Sequence, residues 1–350
     1  MPIGRQHFNS LWWKVEGHIL ERELALEFAR VTEAAALAAA RWVGKGDKEA
    51  ADDAAVTAMR VMFDTVSVDG VVVIGEGEMD EAPMLYIGER VGMGVPPQVD
   101  IAVDPLEGTN IVAKGLTGAI AVLAVAPKDS LLHAPDIYME KIAVGPEAKG
   151  RVHLGAPVKE NIKEVAKSLN KLVCEVTVVI LDRPRHQHII EEVRRAGARI
   201  KLITDGDVSP GVAAAYSNSG VDMLMGIGGA PEGVITAAAL KCIGGDFQAK
   251  LCPYSEVEAN RCKQMGIANV NKVFAIDELV KSDDVIFVAT GITDSFLLKG
   301  VRYDKRRAIT ETLVMRSTSG TIRHIEANHD LDRKPLFKDR RIKKLLENIN

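Results

Sequence analysis

Short apolar, β-branched runs recur along this chain, and most of them stop abruptly at carboxylates, arginines or glycines. Val71–Ile74 runs into Gly75-Glu76-Gly77-Glu78, and Val99–Val103 into Asp104-Pro105-Leu106-Glu107-Gly108-Thr109. Val176–Leu181 leads to Asp182-Arg183-Pro184-Arg185-His186, and Ile200–Ile203 to Thr204-Asp205-Gly206-Asp207. Val221–Met225 meets Gly226-Ile227-Gly228-Gly229-Ala230-Pro231-Glu232-Gly233, and Val285–Ala289 meets Thr290-Gly291. Such runs predict strands, and in open α/β sheets ligands bind beyond the carboxyl ends of strands. The pattern therefore predicts an α/β protein with one shared site built by many loops.

Helical periodicity frames these strands. Leu24, Phe28, Val31, Ala35 and Leu37 give an apolar face to a helix over Glu21–Val43, broken by Gly44, Gly46 and Asp47. A second helix is expected over Glu49–Phe63 with Val56, Met59 and Met62 inward. Ala119–Val125 is a further strand, and Ser317-Thr318-Ser319-Gly320 predicts a hairpin between Thr312–Arg316 and Thr321–Glu326. With 350 residues, two lobes are expected, divided in the polar stretch Glu147–Lys171.

Charge and composition remove several function classes. The net charge of −4 offers no field for nucleic acid, and no stretch of about 18 apolar residues predicts a membrane span. Met1–Leu20 has no apolar core like that of a signal peptide, and Trp12 and Trp13 read as packing anchors. Cys174, Cys242, Cys252 and Cys262 form no C-x-x-C pair and read as reduced thiols of a cytoplasmic protein. The Lys/Arg-rich stretch from Arg333 to Lys344 reads as a solvated terminal helix or tail.

The chemistry concentrates in carboxylates. Asp104 and Glu107 stand beside a proline, followed by Gly108 and Thr109. In such a turn two carboxylates can share a hard divalent cation, and glycine lets backbone N–H groups approach phosphate. Alone, the motif reads equally as an Asx-type turn. Glu76 and Glu78 flank Gly77, with Asp80, Glu81 and Glu89 close behind, and their mutual repulsion calls for a cation. Neither glycine cluster fits a dinucleotide-binding turn, because Asp80 and Pro231 occupy the third glycine position. With no P-loop and no G-x-S-x-G elbow, hydrolysis by metal-activated water fits best.

Basic and polar groups supply the complement. Arg183 and Arg185, on either side of Pro184, suit a phosphate, with a loop capping the following helix as the competing reading. Asp205-Gly206-Asp207 offers acceptors for sugar hydroxyls, another metal ligand, or a helix cap. Tyr138 is a phosphate donor or packing; Lys48 neutralises the acidic site or forms a surface pair; His186 reads as a helix-start residue without a catalytic task.

These stretches together resemble the class II fructose-1,6-bisphosphatases of the GlpX type, relatives of the lithium-sensitive, inositol-monophosphatase-like phosphatases. The resemblance spans about Glu21 to Leu331. It is carried by Gly44-Lys45-Gly46-Asp47-Lys48 with Ala51-Asp52, by Ile74–Glu78 through Ala82-Pro83-Met84-Leu85-Tyr86, by Ala102–Thr109, and by the arginine, aspartate and glycine motifs above. It implies a layered α-β-α-β-α sandwich and hydrolysis of the 1-phosphate of fructose 1,6-bisphosphate, a gluconeogenic step. It implies Mn²⁺ or Mg²⁺ on Asp52, Glu76, Asp104, Glu107 and Glu232. Substrate contacts follow from Glu107, Gly108, Thr109, Tyr138, Arg183, Pro184, Arg185, Asp205, Gly206, Asp207 and Gly229, with Lys48 beside them. Thr109 is expected to orient the water, with Asp80 as base and Glu76 indispensable. Arg183 stands where some relatives carry lysine, and Glu107 replaces an aspartate of other superfamily members.

The division expected is an extension over 1–20, a metal-binding lobe over 21–160, a substrate-binding lobe over 161–331 and a basic tail over 332–350. Sedoheptulose 1,7-bisphosphate as a second substrate and a non-catalytic sugar-phosphate sensor are the rival readings. A small sugar bisphosphate is the expected partner, with a homo-oligomer (dimer or tetramer) implied by the family.

Overall fold

The computed structural model describes residues 20, 22–77 and 83–342. Trp12, Trp13 and Asp80 lie outside them. Helix α1 spans Leu24–Ala39 and α2 Lys48–Phe63, followed by β1 Asp69–Ile74, β2 Arg90–Val91 and β3 Gln98–Glu107. Next come α3 Thr109–Lys114, β4 Ile120–Pro127, β5 Tyr138–Val144, α4 Val158–Ser168, β6 Thr177–Leu181 and α5 Gln187–Ala196. After them stand β7 Arg199–Ile203, α6 Val208–Ala213, β8 Met223–Gly229, α7 Ala230–Ile243 and β9 Asp246–Cys252. The strands close with β10 Val273–Ala275, β11 Ile286–Gly291, β12 Arg302–Asp304, β13 Arg307–Arg316 and β14 Thr321–Asp330.

Two mixed sheets organise the molecule. The first runs β12-β13-β11-β4-β3-β1-β2, with β14 also paired to β13; the second runs β10-β9-β5-β8-β6-β7. The chain enters the second sheet at β5 and returns to the first at β11, so strands of the first sheet flank the second in sequence.

Strand β4 shows how the layers stack. All eight of its residues are buried. Ala121, Leu123 and Val125 face α1 and α2, while Ile120, Val122, Ala124 and Ala126 join an inner core with α7. A strand covered on both sides loses the polar alternation of a half-exposed one. On the far face of the second sheet, Ile142, Val178, Ile180 and Met223 pack on Ile162 and Val165 of α4 and Ile189 and Val193 of α5. The order is therefore α1/α2, first sheet, α6/α7, second sheet, α4/α5: the five-layered sandwich expected.

Local sequence explains most element ends. Asp47 caps α2 by accepting from the Ala50 N–H. The expected α1 face is buried throughout, but the helix stops at Ala39 and a 3₁₀ turn carries the chain to Trp42. The stretch expected to be a polar divide holds α4, whose Val158, Ile162, Val165 and Ala166 are buried. Within the described part of the basic C-terminal stretch, Leu336 and Ile342 are buried in the core shared with α1 and α2.

Candidate active site

The decisive local feature is a bulge. Asp104 pairs with Val122 and Glu107 with Ile120, so three steps on β3 match two on β4. In a regular strand, side chains three apart point to opposite faces. The bulge, placed where Pro105 has no N–H to give, inverts that parity and turns both carboxylates towards the inner layer. The expected turn is thus a bulged strand end, and β3 continues through Glu107. Gly108 then takes a left-handed φ of +99° and starts α3 at Thr109.

Other elements bring the remaining acids to the same place. Asp52 comes from α2, Glu76 from the turn after β1, Asp136 from the segment before β5, and Glu232 from the first turn of α7. With Asp104, Glu107, Gly108, Thr109 and Asp205 they line a cleft of about 290 Å³. One oxygen each from Asp104, Glu107 and Glu232 lies within 4.8 Å of the others. Gly226–Gly229 is not the expected loop but the end of β8, leading straight into α7. A β-carbon on Gly229 would meet Glu232 Oε2 at 1.8 Å, so only glycine leaves room for that carboxylate.

Electrostatically this cleft is strained. Burial, and then the charges of Asp52, Glu232 and Asp136, push Glu76 up to about 8. Burial first, with Asp53 second, raises Asp52 to about 6. Burial first pushes Asp104 and Glu107 well above the carboxylate range, helped at Asp104 by the charges of Glu76, Glu232 and Asp52 and at Glu107 by those of Asp104, Glu232 and Asp207; Glu232 is raised by burial against the opposing pull of Lys141. Glu232 Oε2 is buried without a hydrogen-bond partner among the described residues. An orphaned buried oxygen among repelling carboxylates is what a hard divalent cation with oxygen ligands compensates, so the residues fit such an ion.

A second compartment of about 150 Å³ shares Glu107, Asp205 and Glu232 with the first. Its other walls are Tyr138, Leu181, Arg183, Arg185, Gly206, Asp207, Gly228 and Gly229. Arg185 donates Nε and Nη2 to the Ile227 carbonyl at 3.2 and 2.8 Å, and its guanidinium lies 4.6 Å from the Tyr138 ring centre. Tyr254 meets Tyr138 edge-on at 5.5 Å. Arg183 stands 3.7 Å from Asp205, which also accepts from the Asn110 side chain at 3.0 Å. His186 is fully buried: its Nε2 accepts from the Ile227 N–H at 2.7 Å, so Nδ1 carries the proton donated to the Leu181 carbonyl, also at 2.7 Å. It braces the arginine turn against β8.

Two of the expected contacts stand apart. Lys48 is exposed at the first residue of α2, one turn before Asp52, and Pro184 is exposed; neither lines the cleft. Glu89 is committed to Arg60 at 2.5 Å and to the Leu85 N–H, outside the cluster. Sequence reasoning gave no role to Asp136, Asn110, Tyr254 or Lys141. For Lys141 a signal was present: in β5 it shares a face with Met139 and Ala143, both core positions. A wider cleft of about 680 Å³ opens beyond Asp205 and Gly206, away from the arginines and the acidic cluster.

With this geometry in place the relatives become informative. Residues 22–329 match the family described as bacterial fructose-1,6-bisphosphatase, glpX-encoded. The chain belongs to this family. It is 50% identical over 328 residues to fructose-1,6-bisphosphatase 1 class 2 of Escherichia coli strain K12, covering 90% of this chain and 97% of that one. The class 2 fructose-1,6-bisphosphatase of Shigella flexneri matches at the same identity and coverage. Family membership gives the bulged carboxylates, the orphaned Glu232 oxygen and the arginine compartment a common setting in phosphate ester chemistry. Among the described residues no helix is long and apolar enough to cross a membrane.

Proposed function

We propose that this enzyme hydrolyses the 1-phosphate of D-fructose 1,6-bisphosphate, giving fructose 6-phosphate and phosphate, with Mn²⁺ or Mg²⁺ as cofactor. The observation that carries the proposal is the joining of an acidic and an arginine compartment through Glu107, Asp205 and Glu232. A substrate with a phosphate at each end of a short sugar suits that pairing.

Asp52, Glu76, Asp104, Glu107 and Glu232 would hold the ions, with Asp136 beside them. Bound there, a divalent ion would polarise a phosphoryl oxygen and lower the pKa of a water. Thr109, on the cleft wall at the start of α3, orients the attacking water, and Asp80 is assigned from sequence as the base. Arg183, Arg185 and Tyr138 grip the distal phosphate, and Asp205 and Asp207 take sugar hydroxyls. Arg185 reaches this post already fixed by Ile227 and Tyr138, which reduces the ordering cost of binding. A cytoplasmic setting, which four free cysteines suit, and a homo-oligomeric state (dimer or tetramer), which only the resemblance implies, belong to the same proposal.

Phosphorus NMR of the reaction tests the regiochemistry: fructose 6-phosphate is expected as the remaining ester. Accumulation of fructose 1-phosphate would reverse the assignment of the two compartments.

A further inference from the structure

A buried ammonium sits behind the arginine compartment. Lys141 is 1% exposed, and its Nζ reaches Asp207 Oδ1 at 2.8 Å and Oδ2 at 2.7 Å. Its strand face otherwise carries Met139 and Ala143 of the inner core. The desolvation of such a pair tends to offset its attraction, so an apolar residue here would serve packing equally well. Space has nonetheless been cleared for it. A β-carbon on Gly228 would land 2.0 Å from Asp207 Oδ2 and 3.0 Å from Lys141 Nζ.

The pair connects the two compartments. Asp207 precedes α6, and the next N–H in the chain, that of Val208, donates to Glu107 Oε1 at 3.0 Å. Asp207 lines the arginine compartment, while Glu107 borders both. One ammonium thus grips the side chain of the residue that precedes α6, next to the Val208 N–H that holds Glu107.

We propose that Lys141 is a positioning residue: it holds both oxygens of Asp207, so that this carboxylate meets the sugar in one orientation and the α6 start keeps Glu107 in place. The inference rests on the reading of Asp207 as a sugar contact. Lys141 touches no reacting atom; its influence passes through Asp207.

The test is steady-state kinetics on K141M, D207N and K141M/D207N with fructose 1,6-bisphosphate at saturating Mn²⁺, with circular dichroism as a check of folding. K141M is expected to raise KM by about tenfold or more and to lower kcat less. In the D207N background the same change should add less than about twofold, because the route of action is already cut. If K141M alone does not fold, D207N against the double variant still decides, since the double removes the whole pair. Unchanged KM in folded K141M, or a further tenfold loss in the D207N background, would overturn the proposal. Unchanged KM in D207N would remove the sugar contact beneath it, and overturn both.

Discussion

Replacing Glu76 by glutamine should make the metal-free protein more stable while abolishing turnover. Burial and the charges of Asp52, Glu232 and Asp136 raise Glu76 from 4.5 to about 8. At pH 7 the unfolded chain carries this group ionised, whereas the folded metal-free cleft holds it protonated, so folding takes up a proton. The interval from 4.5 to pH 7, at about 1.4 kcal/mol per pH unit, costs about 3 kcal/mol. Glutamine keeps the shape and removes that cost. Because the folded value is raised, the penalty is absent below 4.5, grows as pH rises, and levels off above about 8. Urea denaturation in EDTA at pH 5, 7 and 8 measures it: the variant's midpoint should exceed that of the parent most at pH 8 and least at pH 5. With millimolar Mn²⁺ the order should reverse, since only the parent gains the full binding energy. A variant no more stable than the parent at pH 8 in EDTA would refute the electrostatic reasoning, as would an advantage equal at pH 5 and pH 8.

Three further outcomes follow from the same geometry. Arg185→Lys should raise KM for the bisphosphate about tenfold with a smaller loss in kcat, because an ammonium cannot both grip the Ile227 carbonyl and stack on Tyr138; Michaelis kinetics checks it. His186→Ala leaves the Ile227 N–H and the Leu181 carbonyl without their brace and should cost about 2 kcal/mol in chemical denaturation, while Mn²⁺ affinity stays within about threefold. Asp136→Asn should weaken Mn²⁺ about tenfold by titration calorimetry, as a charge facing Glu76 and Glu232 is lost.

Much of the architecture is legible in the sequence because apolar runs with charged ends mark strands aimed at one site. The residues that were not legible share a cause: their neighbours come from distant parts of the chain. Asp136 precedes β5 as an isolated acid, and only the fold brings it to Glu76 and Glu232. Pro105 signals a turn locally, yet pairing with β4 makes it part of a bulged strand, which is why Asp104 and Glu107 share a face. Gly226–Gly229 likewise reads as a loop, because glycines that clear space for Asp207 and Glu232 look like glycines that turn the chain. Strand β14 pairs with β13 over ten residues although its exposed polar face hides much of its length from an apolar count. Glu232 came from family resemblance rather than spacing, since its role depends on a helix start placed across the cleft from β3.

The most direct test of the central claim is phosphate release from fructose 1,6-bisphosphate with Mn²⁺, with Mg²⁺ and with EDTA, beside sedoheptulose 1,7-bisphosphate and inositol 1-phosphate. Release from the fructose ester that requires the ion and stops with EDTA is the predicted result. Release undiminished by EDTA, or none from any ester despite tight sugar-phosphate binding, would contradict the account.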